Sequence, residues 1–254
     1  MSKNKLKVVA VIPVRMDSSR FPGKPLKNIL GISMLEHVYR RASLCKELDE
    51  VIIATCDQII IDNCNKIGAK SVLTSKDHER SVDRVAEAVS NINCDIVINL
   101  QGDEPLVNPN IISSLIDEMC KSELVDCANL VSEISEEEFI SPNTVKVVND
   151  INNNIIYFSR EAIPSISKFN DSVVKYKQIG IMAFRKEFIF KYQTLDSTPL
   201  EKIESVDMLR VLEHGYKIRM VKVSYKGIGV DIPTDINRVE KMLKKDILLP
   251  QYLK

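Results

Sequence analysis

Apolar residues follow two alternating rhythms over the first hundred positions. Residues 7–14 (KVVAVIPV) form an unbroken β-rich run with Pro13 near its end, as suits a strand buried on both faces of a parallel sheet. From Ser33 to Leu44 the apolar positions Met34, Leu35, Val38 and Ala42 fall at helical spacing, and residues 50–55 (EVIIAT) read as the next strand. The same alternation continues through a helix from Gln58 to Ile67, a short strand from Ser71 to Leu73, a helix from Val82 to Val89 and the strand 95–100 (DIVINL). It predicts an α/β chain with a doubly wound, mostly parallel, Rossmann-like sheet and right-handed crossovers. Such sheets bind ligands outside the carboxyl ends of their strands, where the loops Arg15 to Pro25 and Gln101 to Pro105 fall.

Near residue 126 the rhythm changes. Strand-like runs at Cys127 to Val131, Val145 to Val148, Ile155 to Phe158 and Ile179 to Phe184 follow one another with fewer helices between them. We read residues 126–198, approximately, as a small β-rich insertion within a single domain spanning 1–254. The chain then returns to helix (Pro199 to His214), strand (Lys217 to Val223), the loop KGIGVDIPTD and a last helix expected to end near Lys245.

Composition narrows the partners. At 254 residues and 44% hydrophobic content a substantial core is available, while Lys+Arg and Asp+Glu balance at 35 each. No long-range basic field favours nucleic acid or an anionic membrane, so an anionic ligand must be held by local groups. No run approaches the roughly 20 apolar residues that cross a bilayer, and the start lacks a secretory cleavage pattern, so a cytoplasmic location is expected. The six cysteines show no C-x-x-C pairing and read as reduced, packed thiols rather than a zinc site.

Chemistry gathers in three loops. Arg15, Ser18, Arg20, Gly23 and Lys24 follow the first strand; cations so close together make most sense around a polyanion such as a nucleoside triphosphate. Pro25 after the lysine excludes a Walker A loop. At the end of DIVINL, Asp103 in NLQGDEP is of the kind that coordinates magnesium beside phosphate oxygens, and Gly102 permits close approach of the backbone to a ligand. The competing reading is a solvent-exposed Asp-Glu turn. In GIGVDIP, Asp231 is either a second metal ligand or a cap on the final helix. His37 and His214 sit in helical patterns, and His78 precedes Ser81-Val-Asp-Arg84; no nucleophilic triad emerges from them.

Taken in order, VVAVIPVRMDSSRFPGKPL, EVIIATCD, DHERSVDRVAEAV, INLQGDEP, PNTVKVV, IYFSREAIP, PLEKIESVDMLRVL and GIGVDIPTD resemble the 3-deoxy-manno-octulosonate (Kdo) cytidylyltransferases over nearly the whole chain. The resemblance implies the nucleotidyltransferase fold and attack of the sugar's anomeric hydroxyl on the α-phosphorus of CTP, with release of pyrophosphate for lipopolysaccharide or capsule synthesis. It implies that Arg15, Ser18, Lys24, Ser81, Arg84 and Gln101 meet the nucleotide, with Arg15, Lys24 and Asp103 catalytic. Asp103 and Asp231 would hold Mg2+, while Gln101, Arg160, Gln178, Met182, Asp207 and Met208 would face the acceptor. It also implies a homodimer formed through the inserted region.

The departures cluster on the acceptor side. Gln178-Ile-Gly180-Ile-Met182 stands for the family's H-x-G-x-Y and Asp207-Met208-Leu209-Arg210 for E-Q-L-R, while Arg80-Ser81-Val82 replaces the more usual Ser-Gly-Thr. Two hydrogen-bonding groups of a hydroxyl-binding site are thereby lost. Another compact acid (a different ulosonic acid, a phosphonate or a phosphorylated metabolite) is therefore the alternative acceptor. A nucleotide-binding regulator without turnover is the reading from another class, and retention of both Asp103 and Asp231 argues against it.

Overall fold

The computed structural model describes residues 5–18, 20–168 and 173–253. The chain divides into two compact units, Met1–Ser113 with Lys226–Lys254, and Ser114–Tyr225.

In the first unit β1 (Val8–Val14) leads through a 3-10 turn (Lys24–Leu26) to the small hairpin β2 (Asn28–Ile29) and β3 (Ile32–Ser33). The hairpin turns on Leu30 and Gly31, both at positive φ, a two-residue turn that the apolar rhythm does not announce. Then come α1 (Met34–Ala42), β4 (Glu50–Thr55), α2 (Gln58–Ile67), β5 (Lys70–Leu73), α3 (Ser81–Ala88), β6 (Ile96–Leu100) and the start of α4 (Pro109–Lys121), a helix whose residues from 114 onward belong to the second unit. The sheet order is β6-β1-β4-β5 and each of its pairings is parallel. All seven residues of β1 are buried, which is why its sequence runs apolar without alternation.

The second unit holds β7 (Cys127–Glu133), α5 (Glu136–Ile140), β8 (Lys146–Asn149), β9 (Ile155–Ser159), β10 (Tyr176–Arg185), α6 (Lys186–Gln193), α7 (Pro199–Glu204), α8 (Met208–Glu213) and β11 (Arg219–Val223). Here β11 pairs parallel with β7, while β7-β10, β10-β8 and β8-β9 are antiparallel. The chain closes in the first unit with α9 (Asp235–Leu243) and α10 (Leu249–Tyr252). This is the α/β class that the alternation predicts, with a mostly parallel central sheet.

The single helix expected from Pro199 to His214 is two helices. Ser205, at φ 52, ends α7 in the left-handed region, and Val206 N–H turns back to Glu201 C=O.

Candidate active site

The first unit brings its three chemistry-bearing loops onto a shared apolar footing. Phe21 from the basic loop, Leu106 from the loop after β6 and Val230 from the glycine loop are buried in one cluster with Ile29, Met34, Val239 and Leu243. Each loop therefore carries an anchor beside its polar residues, and burial of those anchors sets where the polar groups stand.

Above that footing Lys24 joins two of the loops. Its Nζ donates to Asp103 Oδ2 and to the Val230 carbonyl, both at 2.7 Å, and Val230 N–H donates to the Asp103 carbonyl at 2.9 Å. Lys24 is oriented by Gly23, at φ 71, whose N–H bonds the Met16 carbonyl. The third loop residue, Arg20, meets Asp231 at 2.8 Å on the exposed rim. Arg15 lies exposed immediately past β1 and Ser18 is half-buried.

Gly102 is required by close approach, but of a different kind from the ligand approach expected. A Cβ there would stand 2.1 Å from Val14 Cγ1 and 3.3 Å from the Pro13 carbonyl, so the missing side chain lets the loop after β6 lie directly on the end of β1.

A second group surrounds the start of α3. Ser81 Oγ accepts from Gln101 Nε2 at 3.0 Å and from Asn99 Nδ2 at 3.2 Å. Arg84 is buried and turns away from that pair, toward Thr74 Oγ1 and the Ser75 carbonyl. Burial acts to raise the Glu87 carboxyl, but the Ser75 N–H, His78 and Arg84 outweigh it and hold the group below its ordinary value. Arg84 and Glu87 thus hold Thr74, Ser75 and His78 against α3.

In the second unit the acceptor-side candidates occupy two places. Gln178 and Met182 flank a bulge of β10, and Met182 is buried. Arg160, just past β9, donates from Nε to the Glu204 carbonyl at 2.7 Å and from NH1 to the Pro142 carbonyl at 3.2 Å. Asp207 and Met208 open α8, and Met208 has no exposed surface. The arginine that completes that motif, Arg210, is a buried bidentate partner of Glu201 at 2.7 and 2.8 Å.

Comparison with known proteins follows the same lines. The Cytidylyltransferase family model matches residues 9–218. The 3-deoxy-manno-octulosonate cytidylyltransferase of Geobacter metallireducens is 38% identical over 251 residues, covering 94% of this chain and 99% of that one. The chain belongs to the 3-deoxy-manno-octulosonate cytidylyltransferase family. The protein of that name from Fusobacterium nucleatum is 40% identical over 243 residues, covering 95% and 98%. A solved structure of CMP:2-keto-3-deoxy-manno-octonic acid synthetase complexed with CTP superposes with a TM-score of 0.90 at 37% identity, covering 94% of this chain and 99% of that one. This member of the family is a nucleotidyltransferase, and cytidylyltransferases of this kind generally use a divalent metal.

The donor set of this cytidylyltransferase suits such an ion. Among the described residues no cluster of three or more His, Cys, Asp or Glu could hold a metal. A magnesium-type ion shared with phosphates asks for only one or two carboxylates, and Asp103 and Asp231 are hard oxygen donors, each already facing a cation. The described cysteines are free thiols, Cys120 exposed and Cys45, Cys64, Cys94 and Cys127 buried. Burial pushes the Cys127 thiol far up, so it stays protonated and inert.

Some contributors went unread in the sequence. Asp57 accepts the Met16 N–H at 2.7 Å and fixes the exit from β1; its place two residues beyond a strand, in TCD, was the available signal. The Val230 carbonyl and Asn129 offered none, because a backbone oxygen and a buried strand amide look like any others until the fold is known.

Proposed function

We propose that this chain transfers CMP from CTP to the anomeric hydroxyl of Kdo and releases pyrophosphate. The observation that carries the reading is the Lys24 junction with Asp103 and Val230, which sets a cation against a carboxylate at the ligand edge of a parallel sheet. Its occurrence in a chain matching Kdo-named relatives over almost their full length makes Kdo the acceptor of choice over other compact acids.

In this mechanism Arg15, Ser18 and Lys24 bind and orient the triphosphate of CTP, with Gln101 and Ser81 on its nucleoside side, while Arg84, buried against Thr74 and Ser75, acts by bracing that segment rather than by touching the nucleotide. With phosphate oxygens as alternative partners for Lys24 and Arg20, Asp103 and Asp231 would be the carboxylates that hold Mg2+. Bound there, Mg2+ would supply charge neutralisation at the α-phosphate and leaving pyrophosphate. The protein's contribution is alignment of the sugar hydroxyl with the α-phosphorus in a preorganised polar setting. Arg160 keeps N–H donors beyond those bonded to Glu204 and Pro142, and these suit the sugar's carboxylate. Gln178 and Asp207 present polar groups to the sugar, while Met182 and Met208 act as packing beneath them.

We further read residues 1–254 as one functional domain whose 126–198 region binds the acceptor and forms a homodimer, working in the cytoplasm where CTP is used. No helix among the described residues is long and apolar enough to cross a membrane.

The decisive assay is Mg2+-dependent pyrophosphate release from CTP with Kdo. Asp103→Asn should lower turnover by about 100-fold or more while the thermal midpoint holds. Undiminished turnover in that variant would remove Asp103 from the metal site.

A further inference from the structure

Between the paired positions Gln178–Val131 and Met182–Asn129, β10 runs through Ile179, Gly180 and Ile181 while β7 has only Leu130. Such a bulge interrupts the ladder and leaves strand groups in need of other partners. Asn129, fully buried, supplies them: its Nδ2 donates to the Leu130 and Ile179 carbonyls at 2.9 Å each and lies 3.4 Å from the Ile181 carbonyl.

Those carbonyls decide the orientation of the amide. A carbonyl oxygen only accepts, so Asn129 must turn its NH2 toward them and its Oδ1 the other way. Asn129 Oδ1 is 2.7 Å from Gln178 Nε2, so Gln178 in turn must present its NH2 inward. The direction of donation thus passes from the bulge carbonyls through two side chains, and Gln178 Oε1 is left on the far side of its amide. Gln178 is only partly buried, so the chain of bonds ends at the surface of the unit.

We propose that Asn129 is a positioning residue that fixes the polarity of Gln178, so that Gln178 Oε1 accepts a hydrogen bond from a hydroxyl of the acceptor sugar. This rests on the acceptor-side reading of Gln178 given above. It also accounts for a glutamine in the place where the family more often has histidine. A neutral imidazole can donate inward from one nitrogen and accept outward at the other, which is the same polarity.

The test is steady-state kinetics with CTP and Kdo on the full chain. Gln178→Met should raise the KM for Kdo about tenfold or more and leave the KM for CTP within about twofold, as expected for one lost hydrogen bond in a polar pocket. Gln178→Glu, whose carboxylate oxygen faces Asn129 Oδ1, should fare no better than Gln178→Met. Gln178→His should recover part of the affinity. Asn129→Ala should raise the same KM, and the double variant Asn129→Ala with Gln178→Met should be no worse than Gln178→Met alone.

If Asn129→Ala does not fold, the ranking of the three Gln178 variants carries the test. An unchanged KM for Kdo in Gln178→Met, or Gln178→Glu outperforming Gln178→His, overturns the inference. So does additivity in the double variant. Absence of pyrophosphate release by the wild type with Kdo overturns the functional reading itself, and this inference with it.

Discussion

Gly102 shows how a single residue type can be forced by packing while sitting in a loop that reads as purely catalytic. An alanine Cβ at this position would lie 2.1 Å from Val14 Cγ1, a distance no adjustment of the methyl itself can relieve. Gly102→Ala should therefore destabilise the protein by about 1–3 kcal/mol, the usual cost of overpacking, measured as a lower thermal midpoint. Adding Val14→Ala should recover part of that loss, with the Pro13 carbonyl at 3.3 Å limiting the recovery. A Gly102→Ala protein as stable as the wild type would mean that the loop can lift off β1. The sequence marks the motif around Gly102 as a candidate site, but it does not show the packing that requires the glycine. The clash is with a side chain 88 positions earlier in the chain, and no local pattern reports it.

Elements were legible where their stabilisation is local or strongly periodic. Residues 50–55 and 58–67 are read from spacing and found with the same bounds as β4 and α2. The run from Pro199 to His214 is helical in every local respect, yet it breaks at Ser205 because Glu204 is claimed from elsewhere. Its carboxylate accepts from Ser159 Oγ and the Arg160 N–H, both at 2.8 Å, and its carbonyl takes Arg160 Nε. By contrast α5 carries a readable signal in Ser135 and Glu138, a reciprocal cap that its five residues depend on. The docking of α10 against α1 has a measurable signature as well. His37 on α1 bonds the Ile29 carbonyl through Nε2 and the Tyr252 hydroxyl through Nδ1. With a carbonyl as partner Nε2 must be the donor, and in the neutral ring that burial favours Nδ1 accepts from the Tyr252 hydroxyl. Burial, the largest influence, keeps its pKa below the ordinary 6.5 despite the opposing Ile29 bond. The unfolded chain then binds the proton first, so stability from this site is complete above about pH 6.5 and declines as pH falls below it. Thermal midpoints between pH 7.5 and 5.5 should fall more steeply for the wild type than for His37→Gln, whose amide offers a donor and an acceptor but does not titrate. Parallel curves would remove His37 as the cause.

At the scale of the whole molecule, alternation of strand and helix foretold the α/β architecture, and the loss of alternation marked the β-rich stretch. The two compact units meet in sequence at residues 113–114 and 225–226, inside or beside regular elements, where composition does not change. The acceptor side was less legible than the nucleotide side for a physical reason. Of the residues proposed above, Arg15, Ser18, Lys24, Gln101 and Asp103 lie in short loops directly after β1 and β6, where strand ends single them out, whereas the place proposed for Gln178 depends on a bulge and a buried amide partner on another strand. Lys24 carries the last consequence. By neutralising Asp103 and holding Val230, it gives the resting protein an internal counter-ion, so the glycine loop does not depend on a metal for its seat. Treatment with a chelator should stop pyrophosphate release while moving the thermal midpoint by less than about 2 °C, since little of the fold's free energy then rests on the ion. A fall of about 5 °C or more would give the metal a structural role. If instead the midpoint holds, the protein would store well without the ion, folded and waiting, with no refolding between the addition of metal and the start of turnover.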